Sequence, residues 1–409
     1  MNARLAICLL CALGRASQLL GQHEHPDPMA SMEGMETADR WTAMVHGYAF
    51  LTFNRQGGIS GEREFESQNH FMATAVRKVW GGKLSLLGTF TLEPATIPAR
   101  GSSELFQRGE TYHGVLLVDR QHPHDLFVQL AAAWERTLSD GVALRLYLAP
   151  VGEPALGPVA YPHRLSASEN PSAPLSHHNQ DSTHIAYDVI TVGATASLVT
   201  LEGSVFHGAE PDENRWNIEA GALDSYSGRL TARPLPGWAV SVSSGHLQHP
   251  EAVEPGNQTR STASIAYERA TSGGFFAASL IAGRNQTTEG PEWGSLLEWT
   301  WKFAEKNFFF GRLESADRDL YELLHKRQRP EGAPRRRTRV EAATFGFSRD
   351  VTLVPKLESG VGADLTAYRF SSRLDAAYGA RPLSFHVFFR ARFGAHGSGA
   401  SVEHVHGAM

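Results

Sequence analysis

The links between strand-like segments constrain this sequence more than any other feature. From about Met44 to Phe393, segments of roughly ten residues alternate apolar with polar residues, and the links between them are alternately short and long. All of the short links except 304–306 carry the Gly, Asp, Ser or Pro residues that favour a tight hairpin turn. The short links lie at residues 80–82, 139–141, 196–197, 234–237, 271–274, 304–306 and 349–350.

The long links indicate which end of each strand faces the cell exterior. They lie at residues 54–66, 93–124, 151–182, 207–221, 248–259, 284–292, 315–339 and 369–381. Because outer-membrane barrels have short periplasmic turns and long extracellular loops, the pattern predicts an all-β fold. We expect a transmembrane antiparallel β-barrel of about 16 strands, with both termini periplasmic and the long loops partly folded inward. The count is least certain within 183–205 and 351–378, which are hard to divide.

Alternation within strands separates a lipid face from a lumenal face. In the last strand, Phe385, Val387 and Phe389 share one face, and Arg390 and Arg392 share the other. A soluble β-sandwich would also alternate, but the aromatic residues at strand ends favour membrane interfaces. These aromatics are Trp41, Trp80, Trp134, Tyr147, Trp238 and Tyr267. The predicted pore-lining residues are Glu202, Arg229, Glu298, Lys302, Lys356, Glu358, Asp364, Arg390 and Arg392.

Arg229 is expected to pair with a lumenal carboxylate such as Glu202. It would then act either as a selectivity charge in a pore or as an anchor for a loop folded into the lumen.

Composition excludes other classes of protein. The mean hydropathy of −0.28 is too polar for a helical membrane protein. A formal net charge of −5 does not indicate the basic surface that a nucleic-acid-binding protein requires. The one basic run, Arg335-Arg336-Arg337, falls in a predicted extracellular loop. It is interpreted either as a solvated loop or as a contact to the phosphates of lipopolysaccharide.

The chain divides into four segments. Residues 1–22 read as a secretory signal peptide, residues 23–43 as a flexible His/Met-rich periplasmic segment, residues 44–393 as the barrel and residues 394–409 as a His-containing tail. Cys8 and Cys11 both fall within the signal, so thiol chemistry is not expected of the mature chain. These features predict a protein of the bacterial outer membrane. His23 and His25, near several methionines, suit copper or zinc.

Two long links carry histidines toward neighbouring strands. One contains Asp119-Arg120-Gln121-His122-Pro123-His124-Asp125, and the next contains Arg164 and then Ser176-His177-His178, followed by Asp181 and His184. Nitrogen and carboxylate ligands would suit zinc, copper or nickel. Alternatively, the same residues form a hydrogen-bonded, ion-paired network that folds the loops inward as a plug, with Glu169 as a member. The metal candidates in these links are His122, His124, His177, His178 and His184.

A lipid hydrolase is a third interpretation. The segment from His178 to Ser182 superficially resembles the His/Ser neighbourhood of outer-membrane phospholipases and lipid A deacylases. Only Ser182 and His184 have the spacing that would place a serine and its base on one face of a strand. The order and spacing do not match those families, so no enzyme activity is expected.

The chain resembles a largely uncharacterised family of Gram-negative outer-membrane barrels. The resemblance rests on the 119–125 motif, on Gly152-Glu153-Pro154-Ala155-Leu156-Gly157-Pro158, on Ser176–His184 and on Leu223-Asp224-Ser225-Tyr226-Ser227-Gly228-Arg229. It implies a porin-like protein found alongside heavy-metal and copper efflux systems. The leading expectation is passive transport of small solutes or metal ions, with a homo-oligomer as the candidate assembly. The second is a barrel that binds copper or zinc.

Overall fold

The computed structural model describes residues 39–252, 254, 256–330, 332–354 and 357–394 of the chain. The strands are β1 (Thr42–Arg55), β2 (Arg63–Glu66), β3 (Asn69–Val79), β4 (Gly82–Phe90), β5 (Ser102–Tyr112), β6 (Val115–Gln121), β7 (Phe127–Ser139), β8 (Val142–Gly152), β9 (Ala186–Ala196), β10 (Val199–His207), β11 (Ser225–Ala232), β12 (Trp238–Leu247), β13 (Gln258–Thr271), β14 (Gly274–Thr287), β15 (Gly290–Phe303), β16 (Asn307–Asp319), β17 (Arg337–Val354), β18 (Leu357–Arg369) and β19 (Leu383–Phe393). The helices are α1 (Glu93–Thr96), α2 (His177–Gln180), α3 (Leu320–His325) and α4 (Asp375–Tyr378). None of these helices is long and apolar enough to cross a membrane.

Sixteen of these strands close into a barrel. Consecutive wall strands pair antiparallel, and β1 pairs with β3 on one side and with β19 on the other, which completes the circle. The short β2 pairs with the part of β1 beyond β3, whereas β5 and β6 form a separate hairpin that is not part of the wall. The predicted all-β barrel of about 16 strands is therefore confirmed.

The outer face of the barrel is apolar and the inner face is polar. On β9, Val192 is 60% exposed at the outside, whereas the neighbouring Thr191 is 6% exposed and points inward. On β10, Leu201 is outside and Glu202 is inside. A closed barrel satisfies its backbone hydrogen bonds within the wall and needs no water to do so, so it can face lipid. This arrangement is that of a protein spanning the bacterial outer membrane.

Two predicted links are wrong. Residues 349–350 are not a turn, because Arg349 and Asp350 lie within β17 and pair with Val361 and Gly360 of β18. Asp350 faces the lumen, where it lies 3.4 Å from Lys302, so its polarity reflects an ion pair and not a hairpin. Residues 284–292 are not a long loop either, since β14 and β15 stay paired up to Thr287 and Gly290.

One predicted interface aromatic lies inside the barrel. Tyr147 is only 3% exposed. Its hydroxyl accepts from Gln129 Nε2 at 3.0 Å and from the backbone N–H of Glu153 at 3.4 Å. Its polar tip thus finds partners in the lumen, whereas Trp80 and Trp238 remain at the outer surface near short turns.

Candidate lumenal site

The long segment from residue 153 to residue 184, here called the plug, enters the lumen. The backbone N–H of Ala155 donates to Ser204 Oγ at 2.7 Å, and that of Gly157 donates to Ser243 Oγ at 2.8 Å. Further along, the Ser166 carbonyl accepts from Thr300 Oγ1 at 2.9 Å. The plug therefore satisfies its own backbone with hydroxyls of the inner wall, as a segment without regular structure must when it is buried.

Helix α2 of the plug sits directly against β14 and β15. A Cβ atom built on Gly283 would lie 1.9 Å from the carbonyl oxygen of Asn179, and one on Gly294 would lie 2.8 Å from Ser176 Cβ. The absence of side chains at these two wall positions creates the space for the helix. Asn285 also holds the helix, because its Nδ2 donates to the carbonyl of His178 at 2.8 Å.

Two ion-paired groups anchor the plug to the wall. Glu169 is fully buried and accepts from Arg390, from Arg392 Nη1 at 2.9 Å and from Ser348 Oγ at 2.6 Å. Arg164 donates through its Nε to Glu298 Oε1 at 2.6 Å and also pairs with Asp181. Buried charges of this kind are tolerated only when they are paired and hydrogen-bonded.

The structure places the predicted pore-lining residues on the inner face. Arg229 Nε donates to Glu202 Oε2 at 2.9 Å, so the expected pair is present. Asp364 lies 2.9 Å from His386 Nδ1. The remaining contacts of this set are Glu298 with Arg164 and Arg312, Lys302 with Asp350, and Glu358 with Arg390 and Arg392. Lys356 lies outside the described residues.

The β5–β6 hairpin fills the extracellular mouth beside the plug. Asp119 accepts from the backbone N–H of Phe106 at 2.7 Å, from Tyr378 Oη at 2.8 Å and from Lys326. Arg120 pairs with Glu64 at 3.0 Å and donates to a backbone carbonyl. Phe106 stacks on Tyr378 with ring centroids 4.1 Å apart. These contacts form an apolar and ion-paired layer across the mouth.

The loop histidines meet inside the barrel. Ring centroids lie 5.1 Å apart for His124 and His184, 5.3 Å for His177 and His184, and 5.2 Å for His177 and His178. The ring of His122 lies next to that of His178, with centroids 5.9 Å apart. The two long links thus bring their histidines into one buried row.

In three of these histidines, a carboxylate or carbonyl oxygen that faces Nδ1 orients the imidazole ring. The Nδ1 of His124 faces Glu93 Oε2 at 2.8 Å, that of His184 faces the Asp181 carbonyl at 2.7 Å, and that of His122 faces the Pro123 carbonyl at 3.1 Å. A carbonyl or carboxylate fixes the proton on Nδ1 of a neutral ring, which leaves a lone pair on Nε2. The Nε2 atoms of His124 and His184 are buried without a hydrogen-bond partner, whereas that of His122 lies 3.3 Å from Glu110 Oε1.

Burial favours the neutral form of three histidines in this row. Burial lowers the pKa of His122, His178 and His184 well below the usual value. Asp181 behaves in the opposite way: burial opposes its ionisation, but Arg164 and His177 hold its pKa well below the ordinary range. Asp125 accepts from Tyr187 and Arg215. Neutral imidazoles at His122, His178 and His184 therefore lie beside an ionised carboxylate at Asp181.

Sequence reasoning missed one histidine of this region. His70 is the second residue of β3, and its ring lies 5.4 Å from that of His124 and 5.9 Å from that of His163 in the plug. Its Nδ1 lies 3.0 Å from Tyr48 Oη. His70 does not stand in a motif, so spacing gives no signal, and only the closed barrel brings it beside the loops.

Only one of the predicted metal candidates belongs to a compact group of ligand atoms. Within the described ranges, the group of three whose ligand atoms lie within 4.8 Å of one another is His178, Glu210 and Glu251. His122, His124, His177 and His184 are not part of such a group. His23 and His25 fall outside the described residues.

Ser182 does not have the surroundings of a serine nucleophile. Its hydroxyl donates to Glu210 Oε1 at 3.1 Å and accepts from Arg260 Nη1 at 2.6 Å. The residue is buried in the lumen, whereas a phospholipase-type serine faces lipid. His184 directs its Nδ1 to the Asp181 carbonyl. This geometry does not support the lipid hydrolase.

The periplasmic end of the lumen contains a cavity of about 690 Å³. Its walls include the short turn at 234–237 and Leu198, and its ceiling is formed by plug residues such as Val159 and Arg164. Its charged lining residues are Arg145, Arg164, Arg229 and Arg233 together with Glu135, Glu153, Glu202 and Glu268. The four positive and four negative charges balance.

Comparison with known proteins supports the architecture. No family model matches the sequence, and no curated protein matches it. Among solved structures, OprB of Pseudomonas putida has a TM-score of 0.51 at 10% identity, covering 86% of this chain and 94% of that one. An anion-selective porin from Comamonas acidovorans has a TM-score of 0.50 at 9% identity, covering 87% and 100%. OmpF of Salmonella typhi has a TM-score of 0.50 at 8% identity, covering 86% and 97%. The chain therefore has the fold of the outer-membrane porins.

Proposed function

We propose that the protein is an outer-membrane channel for small hydrophilic solutes, ions included, whose conductance is limited by the plug. A barrel of this strand number is wide enough to hold an aqueous lumen. The observation that carries the proposal is the cavity of about 690 Å³, which is lined by paired charges at the periplasmic end of that lumen.

The plug is the constriction in this proposal. It crosses the lumen from Ser204 of β10 to Arg390 of β19 and is held by hydrogen bonds at several strands between them. Solutes entering from the periplasm reach the cavity freely, but passage across the extracellular half requires the plug to shift. We therefore expect low conductance with brief transitions, in place of a steady open pore.

The lining charges define the selectivity. Because four arginines and four glutamates surround the cavity, its walls attract neither sign of ion strongly. Arg229 and Glu202 also neutralise one another directly. We expect weak charge selectivity, with solute size as the main criterion.

Single-channel recording in planar bilayers tests the proposal. Refolded wild-type protein should give small, discrete current steps, and a variant with residues 156–182 replaced by a short Gly/Ser link should give steps several times larger. Glu169→Gln is a second variant that retains the whole chain. The proposal fails if correctly refolded wild type and Glu169→Gln both carry no current.

A further inference from the structure

A separate group of side chains lies at the extracellular side of the plug, away from the cavity. It combines His178 of α2 with Glu210 and Glu251 from two extracellular loops. The two loops are joined, because the backbone N–H of Glu210 donates to the carbonyl of Pro250 at 2.9 Å. Three segments distant in sequence therefore present one imidazole and two carboxylates to a single point.

Two of the three ligand groups have an atom without a partner. Nε2 of His178 and Oε2 of Glu210 are both buried and accept no hydrogen bond within the described chain. The other oxygen of Glu210 is occupied by Ser182 and lies 3.6 Å from Arg260. Buried polar atoms normally find a partner, so two unpartnered atoms in one group of ligating side chains are suited to hold a cation.

Space and charge both fit a cation. A cavity of about 20 Å³ adjoins His178 and Glu251, which is room for about one atom of water size. Five carboxylates and two arginines line it. The lining charges are Glu251, Glu254, Glu292, Asp317 and Asp319 against Arg108 and Arg318.

Among the described residues, no arginine forms an ion pair with Glu251. Arg108 and Arg335 pair with Glu254, and Arg335 also pairs with Glu292. Glu251 and Glu210 instead place their carboxylate oxygens within 4.8 Å of one another. A bound cation would relieve the repulsion between these two carboxylates.

We propose that His178, Glu210 and Glu251 bind a divalent transition-metal ion, with Zn²⁺ as the best match. One imidazole nitrogen and two carboxylate oxygens form a ligand set that zinc accepts, with water in a fourth position. Ligands at about 2.1 Å from one ion lie roughly 3.4 Å apart, so atoms already within 4.8 Å need only small side-chain rotations. The ion would fasten the plug to both extracellular loops.

The site is independent of conduction, so its test does not depend on the channel proposal. Full-chain protein in detergent is titrated calorimetrically with ZnCl₂ alone, and the number of ions bound per chain is counted. His178→Ala and Glu251→Gln should each lose one bound ion relative to wild type. The matched controls are His325→Ala and Glu305→Gln, whose side chains are exposed elsewhere, and both should bind as many ions as wild type.

The use of two variants protects the test against a failure of folding. Glu251→Gln preserves shape, so it should keep the barrel's resistance to unfolding in detergent even if His178→Ala does not. The proposal is overturned if Glu251→Gln binds the same number of Zn²⁺ ions as wild type with unchanged affinity. Ions bound at histidines other than His178 and His325 contribute equally to all four variants and do not affect the comparison.

Discussion

The extracellular and periplasmic halves of the lumen are lined by the same residue types but are filled differently. In the extracellular half, the plug and the β5–β6 hairpin occupy the space, and charges such as Arg108 of β5 and Glu254 pair there. In the periplasmic half, the paired charges Glu202 and Arg229 line an open cavity. An inner wall rich in charge therefore does not by itself indicate an open pore.

The two halves of the lumen differ because the extracellular loops are long enough to supply partners for the charges of the inner wall. Long extracellular loops can fold back and bring carboxylates, arginines and imidazoles to the wall, whereas the short periplasmic turns contain only a few residues each. Wall charges such as Glu298 acquire partners from the plug, and so do Arg390 and Arg392 near the periplasmic end of β19. Glu202 and Arg229 instead pair with one another beside the open cavity.

Loosening the plug at its anchor should have the largest effect. Glu169→Gln removes the carboxylate that Arg390 and Arg392 share, and loss of one partner of a buried pair costs about 3–5 kcal/mol. We expect about 3 kcal/mol, because Arg390 keeps Asp350 and Glu358. Hydrogen exchange at the Ala155 and Gly157 amides should accelerate by roughly two orders of magnitude.

The matched control is Glu305→Gln, in an exposed periplasmic turn, which should leave exchange unchanged. If the plug amides exchange equally slowly in Glu169→Gln and in wild type, Glu169 does not anchor the plug. Single-channel recordings of the same variants should show more frequent opening only for Glu169→Gln.

Changing one charge in the periplasmic half should have a smaller effect, on selectivity alone. Arg229→Gln leaves three arginines against four glutamates around the cavity, so the reversal potential in a salt gradient should shift by a few millivolts toward cation preference. Glu202→Gln should shift it in the opposite direction. Equal reversal potentials for both variants would show that ions do not pass this wall.

The sequence predicted the barrel and several residues of the plug, but it did not predict which wall residues the plug contacts. Alternation in β19 places Arg390 and Arg392 inside without any knowledge of the fold. Their contact with Glu169 joins residues more than 200 positions apart, and no local pattern encodes it. His70 was missed for the same reason.

Sequence reasoning was wrong where a polar or aromatic residue that faces the lumen has the same residue type as a turn or membrane-interface residue. Asp350 looks like a turn residue, but it pairs with Lys302 and Arg390 on the inner wall. Tyr147 looks like an interface aromatic, but its hydroxyl has partners inside. In a barrel filled by its own loops, polar residues in strands serve the plug as well as the pore.

Mild acid should have the smallest effect. Burial lowers the pKa of His163 in the plug to about 4, whereas a solvated histidine titrates near 6.5. The groups facing it are His70, His46 and His124, all histidines. Between these two pKa values the open plug binds more protons than the closed plug, so the closed state loses stability as the pH falls.

We therefore expect more channel openings at pH 5.5 than at pH 7, and His163→Gln should reduce this difference. If His163→Gln responds to pH as wild type does, the response originates from other groups.

The contrast between the two halves of the lumen is tested most directly by thiol labelling from each side of a membrane. Ser241→Cys lines the periplasmic cavity, and Thr366→Cys lies buried beneath the hairpin near the extracellular end of β18. With wild type as the background control, a membrane-impermeant reagent should label Ser241→Cys quickly from the periplasmic side and Thr366→Cys slowly from both. Rapid labelling of Thr366→Cys from the extracellular side would contradict the account.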